Sequence, residues 1–210
     1  MKKRIGIFGG TFNPVHNTHL AMPSAFVEQC KLDLCYFVPA FISPFKTEAN
    51  SSMEIKPFHR VKMLELAIKE YKEFKIETFE IDKQGISYSI DTILYLKSKH
   101  PSADFYLLIG EDHANEFDKW KDYEKIFELT EICIIKRPNS LKANNYLEIF
   151  SRYNKSYKII DFPESDISST NIRDRIKSGL DISKMIPNAV AEYIYTNNLY
   201  NTTNTLNPNT

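Results

Sequence analysis

The chain has 210 residues, 42% of them hydrophobic, which suffices for one domain with a substantial core. Lysine plus arginine and aspartate plus glutamate number 27 each, so no net charge steers the protein onto a polyanion, and non-specific nucleic-acid binding is disfavoured. No apolar run is long enough for a membrane span or a secretory leader, and Cys30, Cys35 and Cys133 form no C-x-x-C pair; the chain reads as cytoplasmic with reduced, buried thiols.

The first predicted strand, residues 4–8, runs into Gly9-Gly10-Thr11-Phe12-Asn13-Pro14 and then a helix over 16–30. A strand, a glycine turn and a helix start make a natural anion site, because backbone N–H groups and the helix dipole converge there. Gly9 and Gly10 admit a ligand close to the backbone, while Pro14 fixes its own φ and keeps Asn13 out of the α region. His16 and His19 share one helix face. Taken alone, a glycine pair also serves as a plain turn, and two such histidines as surface residues. Zinc pairs on one helix usually stand four apart with a third ligand close by, and none follows here.

Further along, the pattern predicts strands over 34–38, 75–81, 104–109, 131–135 and 157–161. Helices are predicted over 57–71, 89–99, 123–129, 169–178 and 187–197. In the 57–71 helix Val61, Leu64, Ile68 and Tyr71 form a stripe expected to face the core. Residues 39–56 read as a long irregular stretch, by composition equally a functional loop or disorder. The polar tail 201–210 reads as disordered, leaving 1–200 as one domain. The strands are apolar without strict alternation, as when both sheet faces are covered. The expected class is α/β: a Rossmann-like, doubly wound parallel sheet with helices on both faces.

Two more segments carry chemistry. Gly110-Glu111-Asp112-His113 follows the 104–109 strand, and carboxyl ends of parallel strands are where open α/β sheets bind ligands. Asp112 also suits a plain helix cap, and Trp120 suits either the core or stacking on a flat heteroaromatic ring. In Ile167-Ser168-Ser169-Thr170-Asn171-Ile172-Arg173 the hydroxyls are natural N-caps. Arg173 on the first turn opposes the helix dipole, which makes sense if an anion sits there.

Gly9-Gly10-Thr11-Phe12-Asn13-Pro14-Val15-His16-Asn17-Thr18-His19-Leu20 resembles the G-G-T-F-[DN]-P-x-H-x-G-H-L signature of nucleotidyltransferases, with Thr18 in place of the usual Gly. Residues 167–173 resemble the family's I-S-S-T-x-[IV]-R element. Gly110-x-Asp112 with Phe117-x-x-Trp120, and Ser87-Tyr88-Ser89-Ile90-Asp91-Thr92, are similar to stretches of bacterial nicotinate-mononucleotide adenylyltransferases. So are the Arg60-x-x-Met63 helix start and the Arg137-Pro138 turn, all in family order.

The resemblance implies joining the 5′-phosphate of nicotinate mononucleotide to the AMP part of ATP, with release of pyrophosphate. It places Gly9, Gly10, Thr11 and Phe12 in the nucleotide pocket, His16 and His19 on the phosphates, and Gly110 and Asp112 at the adenosine ribose. Ser168, Ser169, Thr170 and Arg173 would close on the triphosphate, and Trp120 would stack on the pyridine with Ser87, Tyr88 and Ser89 nearby. In the loop around Pro44-Phe45-Lys46, Phe45 stands where the family has histidine, so only Lys46 carries over, as a ligand of the mononucleotide phosphate. Mg²⁺ would ride on the ATP phosphates, with no metal ligands from protein side chains. Partners would be ATP and nicotinate mononucleotide, with neither nucleic acid nor membrane; a homo-oligomer is compatible. Alternatives are a transferase acting on nicotinamide mononucleotide or phosphopantetheine, or a non-catalytic adenine-nucleotide sensor of the same fold.

Overall fold

The computed structural model describes residues 2–44, 55–136, 145–163 and 165–201. Its centre is one parallel sheet of six strands, β1 (Arg4–Gly10), β2 (Leu34–Pro39), β3 (Phe74–Ile76), β4 (Asp104–Gly110), β5 (Glu131–Ile135) and β6 (Tyr157–Ile160). Their order is β3-β2-β1-β4-β5-β6, so the chain leaves β1 in one direction for β2 and returns to its other side for β4. That reversal opens a crevice between the carboxyl ends of β1 and β4, where doubly wound sheets bind ligands.

Helices cover both faces, as expected. α1 (Asn17–Cys30), α2 (Pro57–Ile68), α8 (Ser169–Lys177) and α9 (Asn188–Thr196) pack on one side. There Phe8, Cys35, Phe37, Tyr106, Leu108 and Cys133 point toward Phe26, Met63, Leu64, Ile172 and Val190. α4 (Ser89–Lys99), α5 (Glu111–Ala114), α6 (Tyr123–Leu129) and α7 (Asn145–Arg152) cover the other. Here Ile5, Ile7, Leu34, Tyr36, Val38, Leu107 and Ile109 meet Ile90, Ile93, Phe127 and Phe150. Successive strand residues thus feed opposite cores, which explains apolar runs with no polar face. All three cysteines are buried free thiols. Among the described residues no helix is long and apolar enough to cross a membrane.

Two expectations need correction, and three elements are additional. The strand predicted over 75–81 stops at Ile76, and a short helix α3 (Phe79–Lys83) follows. The buried Glu77 turns the chain: its carboxylate accepts from the Phe79 backbone N–H at 3.2 Å and from Lys99 at 2.8 Å. The α2 stripe is rotated, with Arg60, Met63, Leu64, Ala67 and Ile68 buried, while Tyr71 lies exposed beyond the helix end and Val61 is half-buried. α5, α7 and a 3₁₀ turn at Phe117–Lys119 were not expected.

Candidate active site

β1 ends on Gly9 and Gly10 at the crevice. Gly9 is exposed, and a Cβ there would meet no atom within 4 Å. A Cβ on Gly10 would stand 2.9 Å from the ring of Phe12. Phe12 has φ 50°, in the left-handed region, yet its ring is 1% exposed between Phe8 and Phe37. Burying a phenyl ring contributes about 1.5–3 kcal/mol, which offsets the left-handed cost of about 1–2 kcal/mol. The turn is therefore anchored from below by its own aromatic side chain.

Donors from three distant elements hold the carbonyl oxygens of this turn. Arg60 Nη1 of α2 donates to Thr11 O at 2.8 Å, and its side chain is fully enclosed. Arg173 Nη1 of α8 donates to Asn13 O at 2.8 Å, and Ser169 Oγ of α8 donates to Pro14 O at 2.9 Å. The Tyr200 hydroxyl donates to Asn13 Oδ1 at 2.7 Å. The segments 9–14 and 168–173, more than 150 residues apart in sequence, are thus directly hydrogen-bonded. With these carbonyls engaged by the protein, the turn is fixed before any ligand arrives.

At the head of α1, His16 and His19 stack with ring centroids 3.6 Å apart. His19 rests edge-on against Phe12, at 5.1 Å between centroids. Thr18 bonds Ser165 through their hydroxyls at 2.6 Å, tying α1 to the segment leading into α8. Ser168 is the N-cap of α8, its Oγ accepting from the Asn171 N–H. Thr170 accepts from Arg173 Nη2 at 3.1 Å, while Arg173 Nε is buried with no hydrogen-bond partner among the described residues.

Two adjoining cavities carry most of the expected site. One, of about 260 Å³, is lined by Gly9, Gly10, Thr11, His19, Ser87, Ser89, Gly110 and Trp120. The other, of about 390 Å³, is lined by His16, His19, Ser168 and Ser169. They share His19, Met22 and Ile135 as walls. Phe12, Tyr88, Asp112, Thr170 and Arg173 line neither cavity: Phe12 lies in the core, Tyr88 has its ring 4.5 Å under the Lys121 ammonium, Asp112 lines a separate cavity with Asn115 and Arg152, and Arg173 is bonded to Thr170 and to Asn13 O. Lys46, Arg137 and Pro138 lie outside the described residues.

The first cavity also contains Glu80, which no sequence motif marks. Glu80 accepts from Thr92 Oγ1 at 2.5 Å and bonds Ser87, and burial pushes its carboxyl upward. Ser87 Oγ in turn accepts from the Phe41 N–H at 2.9 Å. This network fixes the start of α4 against the carboxyl end of β2. Arg60 was legible only through its place in the R-x-x-M helix start. Tyr200, beside a polar tail, carried no sequence signal at all.

A crevice at the β1/β4 switch, walled by a glycine turn, two helix starts and stacked imidazoles, defines a nucleotidyltransferase of the cytidylyltransferase-like family, whose model matches residues 7–175. Within that class the resemblance narrows. The nicotinate-nucleotide adenylyltransferase of Bacillus subtilis is 37% identical over 198 residues, 94% of this chain and 98% of its own. A Bacillus licheniformis relative is 36% identical over 200 residues, 95% of this chain and 100% of its own. The chain belongs to the nicotinate-nucleotide adenylyltransferase family. A solved structure of Plasmodium falciparum nicotinic acid mononucleotide adenylyltransferase complexed with APC shares the fold, with TM-score 0.75 and 21% identity over 94% of this chain and 97% of that one.

Proposed function

We propose that this chain transfers the AMP part of ATP to the 5′-phosphate of nicotinate mononucleotide, giving nicotinate adenine dinucleotide and pyrophosphate, in the cytoplasm. One observation carries the reading: the glycine turn and the start of α8 are joined through Arg173–Asn13 and Ser169–Pro14, beside the stacked histidines. Two anion-binding elements on one cavity system suit a single triphosphate.

A phosphate oxygen of the mononucleotide attacks the α-phosphorus, the bond to the bridging α–β oxygen breaks, and pyrophosphate leaves with that electron pair. The nucleophile is already an anion at neutral pH, so no general base or covalent intermediate is needed. Catalysis becomes a matter of holding two anions in line and compensating charge on the leaving group. His16 and His19 face the phosphates from α1, and Ser168, Ser169, Thr170 and Arg173 face them from α8. Gly9, Gly10 and Thr11 provide close backbone approach, with Phe12 as their support. Gly110 borders the adenosine, and Asp112 reaches its ribose only by turning from the neighbouring cavity. Trp120 stacks on the pyridine, with Ser87 and Ser89 beside it and Tyr88 behind. Lys46 is assigned to the mononucleotide phosphate on its motif alone.

ATP enters as its Mg²⁺ complex on this reading. The phosphate-facing side chains are imidazoles, hydroxyls and a guanidinium, a donor set for phosphate oxygens rather than a cage for a bare cation. Among the described residues no group of three or more His, Cys, Asp or Glu side chains converges to hold a metal. Bound to the triphosphate, the ion would neutralise charge building on the pyrophosphate.

Incubating the protein with ATP, Mg²⁺ and nicotinate mononucleotide, and measuring pyrophosphate, tests the reading. Release should require the mononucleotide and should fall sharply with nicotinamide mononucleotide or phosphopantetheine. Equal release with every acceptor, or none with any, contradicts it.

A further inference from the structure

Tyr200, beyond the end of α9, reaches the glycine turn through its hydroxyl. Its backbone has φ 67°, a conformation bulky side chains seldom adopt, and Asn198 two residues earlier has φ 49°. Leu199 between them is 8% exposed, packed in the core on the α1/α2/α8/α9 side of the sheet, and the Tyr200 ring packs against the same cluster. The chain is bent twice into the left-handed region here, and the bend sets one hydroxyl on one acceptor, Asn13 Oδ1.

We propose that Tyr200 is a positioning residue for ATP binding: the segment after α9 acts as a strap that fixes the side chain of Asn13 and with it the turn 9–14. The proposal rests on the adenylyltransferase reading. Its geometric content is that Asn13 sits between Phe12, at φ 50°, and Pro14, and is itself 4% exposed. Its main-chain oxygen is held by Arg173 and its side-chain oxygen by Tyr200. Burial pushes the Tyr200 hydroxyl's pKa upward, and the positive charges of Arg173 and Arg60 oppose the push. Arg173 and Ser169 lie on the element assigned to the triphosphate. Tyr200 lines neither cavity, and its hydrogen bond to the site goes to the Asn13 side chain. A partly buried tyrosine hydroxyl held on one acceptor is an oriented donor. A loosened Asn13 would let the turn shift relative to His16 and His19, a displacement that costs ATP affinity first.

The test is Tyr200→Phe in the full chain, which keeps the ring and deletes the hydroxyl. Affinity for a non-hydrolysable ATP analogue should weaken about 3- to 10-fold, the range for one lost hydrogen bond. Affinity for nicotinate mononucleotide alone should stay within about 2-fold. A merely structural role would lower both affinities together, by shrinking the folded fraction. Asn13→Leu removes the acceptor and should give the same split, which decides the matter should Tyr200→Phe not fold. The double variant should weaken analogue binding no further than Asn13→Leu alone. Unchanged analogue affinity in both variants, equal losses for both ligands, or additive losses in the double variant would overturn the proposal. Wild-type pyrophosphate release separately tests the underlying reading, since analogue binding needs no turnover.

Discussion

Gly9 and Gly10 are neighbours in sequence, yet the structure assigns their missing side chains to different tasks, and alanine at each position separates them. Both are strand residues, paired with Val38 and Pro39, so alanine suits either backbone. At Gly9 the new methyl meets nothing of the protein within 4 Å and projects into the cavity. Stability should hold or rise by about 0.4–1 kcal/mol, because alanine restricts the unfolded chain. Crowding a bound phosphate should cost about 1–3 kcal/mol, about 5- to 150-fold in affinity for an ATP analogue. At Gly10 the methyl lands 2.9 and 3.0 Å from Cζ and Cε1 of Phe12. That ring is enclosed on all sides and cannot swing away. The overpacking cost of about 1–3 kcal/mol then falls on folding, lowering the melting temperature by about 2–12 °C for a chain of this size. Thermal melts and calorimetric titration with the analogue read the two effects separately. Wild-type affinity in Gly9→Ala, or equal destabilisation in both variants, would refute the reasoning.

Other residues give sharp expectations as well. His19→Ala should lower turnover about 10²- to 10³-fold, the usual loss for one preorganised donor, with ATP still bound; turnover within threefold of wild type removes this histidine from the mechanism. Trp120→Ala should raise KM for nicotinate mononucleotide by about tenfold, consistent with about 1–2 kcal/mol of lost stacking, and leave KM for ATP nearly unchanged; the reverse pattern would place the pyridine elsewhere. His100 shares a 3.0 Å hydrogen bond with the Tyr36 hydroxyl, and burial, aided by Lys3 and Lys99, holds its pKa below the ordinary 6.5. The unfolded chain therefore takes up the proton first, and stability should decline as pH falls from about 6.5 toward the folded pKa. His100→Asn should flatten that part of the melting-temperature profile; an identical profile would show that another group governs it.

Much of this architecture is legible in the amino-acid order. β1, β2, β4 and β5 declare themselves because strands buried on both faces leave unbroken apolar runs, and the motif glycines fall where the crevice opens. Two of the failures originate in buried polar groups. Hydropathy puts Arg60 in water, so the predicted α2 stripe turned toward Val61 and Tyr71; its guanidinium instead lies inside, on Thr11 O. Phe74, Ile76, Phe79 and Ile81 give this stretch the apolar content of a strand, and only the carboxylate of Glu77, bonded to the Phe79 N–H and to Lys99, shows why the chain turns into a helix. Tyr146, Ile149 and Phe150, three and four apart, could have announced α7. At the site, local motifs named the turn and the α8 start. Their joining, and the roles of Tyr200, Glu80 and Arg60 around them, depend on contacts between distant segments that no spacing encodes.

The central claim is that the turn after β1 and the start of α8 serve one triphosphate. The most direct measurement is a crystal structure of the protein with a non-hydrolysable ATP analogue and nicotinate mononucleotide. Phosphate oxygens bonded on one side by the 9–11 backbone and His19, and on the other by Ser168, Ser169 or Arg173, are the predicted result. A triphosphate touching only one of these segments, or lying outside the two cavities that share His19, would contradict the account.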